Sequence, residues 1–315
     1  MTTTLGDLFD GTDSADTLIK ENGGEGEYET STAGSGTVRW AFPRFEGATD
    51  PSDVYLSRAG LGPYDTDVET IAAWLDAPRN VVGAVLLLSD PGTGKTALVE
   101  AVATYTKRDV TTVVCTPDHT RDALFQRFVG EGNGDGGSPF TLGPFPYAAK
   151  HGHLLYVDEA MLLIDGVKPL LYPLTDGRRY LPEGNVDGTP LEIHPDFRVI
   201  MSSNPQVRGA SLPEPIASRC ASTTITLETS EDMLISMGID EAVVSAWAAL
   251  GTAGLWRPQI REVRLADYWL SVDPAQSVSA FVGEHCPETQ RSAVRDCVVG
   301  YLGSDIRADG RLVVS

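Results

Sequence analysis

Apolar runs of strand length alternate with stretches of helical periodicity through the middle of this chain, the pattern of an α/β domain with a parallel sheet. Ala84–Leu88 is the longest apolar run, and Gly83–Ser89 around it reads as a buried strand. Val110–Cys115, His153–Val157 and Arg198–Ser203 repeat that signature. Between them, Val68–Leu75 sets Ile71, Trp74 and Leu75 on one helical face, and Lys95–Lys107 does the same with Leu98, Val99, Val102 and Tyr105. Thr120–Phe128 reads as a helix capped by Asp118 or Thr120, and Asp165–Leu174 as another. From about Glu228 the strands thin out, and Glu231–Gly238, Glu241–Leu250, Gln259–Ser271 and Glu288–Leu302 read as helices. The expected organisation is a flexible acidic tail at 1–36, an α/β core at 37–228 and a smaller α-helical lid at 229–315.

The tail expectation rests on composition. Residues 1–36 are rich in Gly, Ser and Thr and carry eight acids against the single base Lys20, too little apolar content to offset the entropy of ordering. A short amphipathic piece at Leu5, Leu8 and Phe9 is the exception, and order is expected to begin near Val38–Phe45 and to run continuously from Val54. Gly130–Ser138 reads as a glycine-rich loop or hairpin insert.

Charge and cysteine usage narrow the function classes. With 24 Lys and Arg against 44 Asp and Glu, the net charge of −20 repels phosphate backbones, so a nucleic-acid partner is not expected. No apolar run nears the roughly 18 residues of a membrane span, and the N-terminus lacks a basic segment followed by an apolar one, so neither membrane nor secretory routing is expected. Cys115, Cys220, Cys286 and Cys297 have no metal or disulfide spacing, and the expected location is cytoplasmic.

Three motifs carry chemistry. Ser89-Asp90-Pro91-Gly92-Thr93-Gly94-Lys95-Thr96 joins the first buried strand to a helix, the setting of a phosphate-binding loop. Gly92 and Gly94 allow the backbone N–H groups to wrap an anion at the helix N-terminus, Lys95 reaches the β- and γ-phosphates, and the Thr96 hydroxyl is a Mg²⁺ ligand. Asp90, Pro91, Thr93 and Ala97 complete the expected nucleotide contacts, and Ser89 stands where a first glycine is usual. The second motif, Leu154–Val157 followed by Asp158 and Glu159, brings two carboxylates out at the end of a strand, where α/β sheets place ligands. Asp158 is the expected partner of Mg²⁺, and Glu159 the base that polarises the attacking water. The third is Arg198–Ser203 ending in Asn204-Pro205, which fixes an amide at a strand end. ATP and Mg²⁺ are the expected ligands.

The block Pro173–Glu183, with Thr175-Asp176-Gly177-Arg178-Arg179-Tyr180-Leu181-Pro182, then His194-Pro195-Asp196-Phe197 and Ser203-Asn204-Pro205, resembles the MoxR group of AAA+ ATPases, and within it the CbbQ/NorQ/GvpN branch. The resemblance covers roughly residues 55–225, with looser similarity beyond. It implies a P-loop AAA+ core with a central parallel sheet flanked by helices, and a helical lid behind it. It implies that Asn204 is the sensor that orients the lytic water, that Arg219 is the arginine finger reaching a neighbouring subunit, and that Arg261, in Pro258–Val263, is the second sensor, with Arg264 as the fallback. Cys220 departs from the aromatic usual after the finger. Arg178 and Arg179 are read either as contacts to a neighbouring subunit or as local caps, and the Gly-rich insert with Phe140 stands where the family's hairpin faces a pore.

The resemblance further implies a homo-oligomer, a hexameric ring, that remodels or activates a protein client together with a von Willebrand factor A-type adaptor. Two other readings stay open: a nucleic-acid motor or loader, which lacks any Lys/Arg cluster in the sequence, and a nucleotide-gated scaffold with little turnover, which the complete Lys95, Thr96, Asp158, Glu159 and Asn204 set opposes.

Overall fold

The computed structural model describes residues 54–128, 140–205 and 213–302, together with the short strands Thr30–Ala33, Thr37–Ala41, Asp305–Ile306 and Leu312–Val313. Leu5, Leu8, Phe9 and the Gly130–Ser138 insert lie outside the described residues.

Five strands form the central sheet: β1 (Val85–Leu88), β2 (Val110–Val114), β3 (Leu154–Asp158), β4 (Arg198–Ser203) and β5 (Thr224–Thr226), in the order β5-β1-β4-β3-β2. The pairings of β5 with β1, β4 with β3 and β2 with β3 are all parallel. A parallel sheet is covered on both faces, so its strands read as unbroken apolar runs rather than alternating ones. Val85–Leu87, Leu154–Val157 and Val199–Met201 are accordingly all buried. Parallel neighbours need long crossovers. The helices α1 (Asp67–Asp76), α2 (Lys95–Thr106), α3 (Arg121–Phe125), α4 (Pro144–His151) and α5 (Glu214–Cys220) flank the sheet; α1 precedes β1, α2 connects β1 to β2, α3 and α4 lie between β2 and β3, and α5 between β4 and β5. The start of α1 is fixed by a reciprocal cap, in which Thr66 accepts from the Glu69 amide at 3.2 Å and Glu69 accepts from the Thr66 amide at 3.1 Å.

The chain divides into two compact units, one made of the described parts of Met1–Val85, Thr96–Met201 and Pro213–Thr223, the other of Leu86–Lys95, Ser202–Leu212 and Thr224–Ser315. The second contains five consecutive helices, α6 (Glu231–Ser236), α7 (Glu241–Thr252), α8 (Ile260–Leu270), α9 (Pro274–Val282) and α10 (Arg291–Leu302). Their apolar faces enclose one core centred on Leu234, Trp247, Leu250, Val263, Phe281 and Val298. The Trp247 indole N–H donates to the Pro258 carbonyl at 2.9 Å, and the Arg257 guanidinium sits 4.1 Å from the centre of its ring. The stretch from Pro258 into α8 is thereby fixed at its start.

Several elements differ from the sequence expectation, each for a local reason. Thr30–Ala33, expected as part of the tail, pairs antiparallel with Thr37–Ala41, which pairs in turn with Val54–Leu56. Thr120–Phe128 is a helix only as far as Phe125, capped by Thr120 and not Asp118, after which Gln126–Phe128 pairs with Phe140–Leu142. Asp165–Leu174 is no continuous helix: Pro169 and Pro173 each remove a donor from the ladder, leaving a 3₁₀ turn at Lys168–Leu171 and one α turn at Tyr172–Thr175. The Gly143-Pro144-Phe145 turn opens α4, with Pro144 in the first helical position where its missing N–H costs nothing.

The loop Ser89–Thr96 turns on its two glycines. Gly92 has φ 85° and Gly94 φ 92°, both left-handed. A Cβ on Gly92 would also come within 2.9 Å of the Arg261 Cβ, whereas one on Gly94 would meet nothing. Gly94→Ala is therefore expected to cost about 1–2 kcal/mol from backbone strain alone, and Gly92→Ala more than that. Equal losses in urea unfolding would show that the Arg261 contact is slack. Phe281→Ala, emptying a fully buried ring site in the helical core, is expected to cost about 3–5 kcal/mol by the same measurement.

Candidate active site

Strand β1 stops at Leu88 and α2 starts at Lys95, so the loop between them hangs on the two ends of buried elements. Lys95 is buried, and its ammonium donates to the Ser89 carbonyl at 3.0 Å, the Ser89 hydroxyl at 3.3 Å and the Asp90 carbonyl at 3.3 Å. The loop is clasped from inside as well: the hydroxyls of Ser89 and Thr93 lie 2.5 Å apart, and Thr93 also donates to the Asp90 carbonyl at 3.1 Å. This explains the serine at the usual glycine position. Ser89 is not among the residues with positive φ, so no glycine is needed there, and its hydroxyl joins both Thr93 and Lys95.

The same unit holds two further expected residues against this loop. The Ser89 amide donates to the Ser203 carbonyl at 3.2 Å, which fixes the loop entry to the end of β4, immediately before the buried Asn204. Arg261, exposed in the first turn of α8, packs its Cβ against Gly92, and its Nε would lie 3.8 Å from a Cβ placed there. Gln259 and Glu262 cap that turn reciprocally, and Thr229 donates to the Gln259 side chain at 2.8 Å, so the position of Arg261 is set by its helix start. Asp90 and Pro91 are half-buried at one end of the loop, Ala97 at the other.

Asp158 and Glu159 belong to the other unit, with Thr96 and Arg219. The Asp158 Oδ1 accepts from the Tyr156 hydroxyl at 2.8 Å and from the Glu159 amide at 3.1 Å, while its carbonyl accepts from the Cys115 amide at 2.8 Å. Tyr156 lies two residues earlier on β3, on the same face. It went unrecognised in the sequence because it reads as one more apolar strand position, although that period of two was the available signal. Glu159 stands in the left-handed region, φ 52°, and its carbonyl starts the next turn through the Leu162 amide at 2.9 Å. Cys115 is buried beside the pair. Burial first, then the charges of Asp158 and Glu159, push its thiol up to about 12, so it stays protonated and chemically quiet.

Arg219 is held within its own unit. It lies in the last turn of α5, donates to the Pro215 carbonyl one turn back and lies 5.7 Å over the Tyr172 ring. Cys220 after it is fully buried, and burial raises its thiol to about 12. The position is a core position, which a small apolar thiol fills. Arg178 and Arg179 are both engaged locally, Arg178 in a fork on Asp176 and Arg179 on Glu192 at 2.8 Å.

Within each unit, the groups present suit one part of a nucleotide and its metal. The first turn of α2 carries no carboxylate to compete for an anion, so its N–H groups present their partial positive charge to one. The buried Ser203 hydroxyl, beside the loop entry, has no hydrogen-bond partner among the described residues. Thr96 is exposed in that first turn and Asp158 ends β3; a hydroxyl and a carboxylate are the hard oxygen donors Mg²⁺ takes. Among the described residues no cluster of His, Cys, Asp and Glu forms a separate metal site, and no helix is long and apolar enough to cross a membrane.

Comparison with known proteins places these observations. Residues 84–220 match the family model described as an AAA domain of the dynein-related subfamily. Protein CbbQ of Hydrogenophilus thermoluteolus is 33% identical over 126 residues, 40% of this chain and 46% of that protein. Protein NorQ of Paracoccus denitrificans is 36% identical over 121 residues, 38% of this chain and 43% of that one. The chain thus spans just under half the length of these two relatives. Among solved structures, NtrX from Brucella abortus gives a TM-score of 0.41 at 16% identity, over 82% of this chain and 54% of that one, a likeness too loose to inform the site. The stretch from Ala84 to Cys220, which contains the phosphate loop, Asp158, Glu159, Asn204 and Arg219, is similar to AAA domains, on an α/β fold with a parallel central sheet.

Proposed function

We propose that this chain is a MoxR-type AAA+ ATPase that hydrolyses ATP in a homo-oligomeric, hexameric ring and uses the cycle to remodel or activate a protein client, with a von Willebrand factor A-type adaptor as partner. The observation that carries the reading is the glycine-shaped loop closed on the buried Lys95 ammonium at the start of α2. The similarity of residues 84–220 to AAA domains, and of the matched stretch to CbbQ and NorQ, supports it.

In this reading the loop N–H groups and Lys95 bind the β- and γ-phosphates, exchanging the Ser89 and Asp90 acceptors for phosphate oxygens. Thr96 and Asp158 would hold Mg²⁺, which would supply charge neutralisation for the phosphates; Tyr156 orients the Asp158 carboxylate. Glu159 accepts the proton of the attacking water, and the Asn204 amide fixes where that water stands. Arg261, carried against Gly92 by α8, adds positive charge beside the loop. Arg219 serves the neighbouring subunit's nucleotide, which requires it to leave the Pro215 carbonyl and the Tyr172 face on assembly.

Lys95→Ala is expected to abolish ATP binding measured by isothermal titration, and retained affinity would refute the loop assignment. Glu159→Gln should bind ATP while phosphate release falls by about 10²–10⁴-fold; equal, near-zero rates in both proteins would leave a scaffold that does not turn over. Arg219→Ala should bind ATP and lose turnover by about 10³-fold or more. Mixed with wild type, it should lower activity by more than its mole fraction, and a strictly proportional decline would remove the trans role.

A further inference from the structure

A second cleft, of about 710 Å³, lies wholly within the first unit and at the far end of β4 from Asn204. Arg79, which follows α1, Lys150 of α4, Arg178 and Arg179 after the Tyr172–Thr175 turn, and Arg198 at the start of β4 all line it. Glu192 is the one carboxylate in its lining. Five cations from four separate segments therefore converge on a chain whose net charge is −20. We propose that this cleft is a peptide-docking site, distinct from the nucleotide loop, which takes a short acidic segment of a partner protein through its carboxylates.

The partners of each cation point that way. Arg79 donates only to the carbonyls of Arg178 and Leu174, at 3.2 and 3.4 Å, and lies 5.2 Å over the Phe197 ring. Arg198 likewise bonds only backbone carbonyls, those of Leu75, Ala77, Pro195 and Phe197. Burial, then the neighbouring Arg198, lowers Arg79 to about 10, which still leaves it charged at neutral pH. Neither guanidinium is hydrogen-bonded to a carboxylate: Asp176 acts on Arg79, and Asp196 and Asp76 act on Arg198, only through space, so an incoming carboxylate supplies the direct partner both lack. Lys150 makes no hydrogen bond or ion pair with any described residue.

The lining also indicates which anion. Arg178 and Arg179 each hold a carboxylate in a guanidinium fork, Asp176 and Glu192, so the cleft already has carboxylate-binding geometry. The Arg179 side chain is 72% exposed, and an exposed pair of this kind contributes little and exchanges readily. A long polyanion meets the field of the whole acidic surface, whereas a short segment within about one Debye length, ~10 Å, meets the local cations. That favours a short acidic peptide over nucleic acid.

The test needs no nucleotide turnover, so its failure leaves the ATPase reading intact. A fluorescein-labelled peptide of eight aspartates is titrated with the full chain in low salt and followed by anisotropy. Wild type is expected to bind saturably, Lys150→Glu to weaken binding tenfold or more, and Arg295→Glu, an equal charge change on the helical unit, to change it less than twofold. If Lys150→Glu fails to fold, Arg179→Ala carries the same expectation with a loss of at least threefold. The proposal is overturned by absent or unsaturable binding, by equal losses in Lys150→Glu and Arg295→Glu, or by no loss in either cleft variant. Displacement of the peptide by millimolar inorganic phosphate, or by a short DNA duplex at lower concentration than unlabelled peptide, would assign the cleft to those ligands instead.

Discussion

A buried ammonium is tolerable only when oxygen atoms replace the water it gives up. For Lys95 those atoms come from Ser89 and Asp90, the two residues that leave β1, while the lysine itself opens α2. One side chain thus ties the exit of a buried strand to the entry of a helix. The Ser89 amide extends the tie to the end of β4 through the Ser203 carbonyl. The left-handed backbone at Gly92 and Gly94 is what lets six loop residues make the turn, and the absent side chain at Gly92 is what lets Arg261 approach. Remove the lysine and the loop loses the tie between strand and helix, keeping the hydrogen bonds among Ser89, Thr93 and Asp90.

Much of this was legible in the sequence because the relevant signals are local. The strands β1, β3 and β4 are unbroken apolar runs, and a fully buried parallel strand has no other way to appear. The phosphate loop is legible because its glycines, lysine and threonine are contiguous. What was less legible depends on partners far away in sequence or on proline chemistry. Pro144 looks like a turn residue and is the first residue of α4; Pro274 opens α9 behind an Asp273 cap in a stretch with little helical periodicity. The Tyr156 hydroxyl needs the strand's register to be seen as a partner of Asp158. The absence of any Lys/Arg cluster in the sequence is true along the chain and untrue in space, since Arg79, Lys150, Arg178 and Arg198 meet only when four segments fold together.

The distribution of charge follows one rule across both sites. On a chain of net charge −20, Arg178 and Arg179 pair with Asp176 and Glu192, while three other cations of these sites rest on backbone carbonyls or aromatic rings. Lys95 sits on two carbonyls, Arg79 on two carbonyls and Phe197, Arg219 on the Pro215 carbonyl and Tyr172. A carbonyl brings only a partial negative charge, so a cation resting on one still draws an anion. Anions are then attracted at such places, against a net negative chain that repels them.

Glu159 is the one acidic group at the candidate site whose backbone is itself left-handed, at φ 52°. Glycine and asparagine tolerate that region and β-branched residues do not. Selection at this codon therefore pulls two ways. A screen for thermal resistance would enrich Gly or Asn at 159 and discard the carboxylate, while Val or Ile would be lost from either screen before chemistry was ever asked about. If Glu159 is the base of the proposed reaction, a lineage released from that reaction would drift there first, leaving a glycine or asparagine in a fold otherwise unchanged.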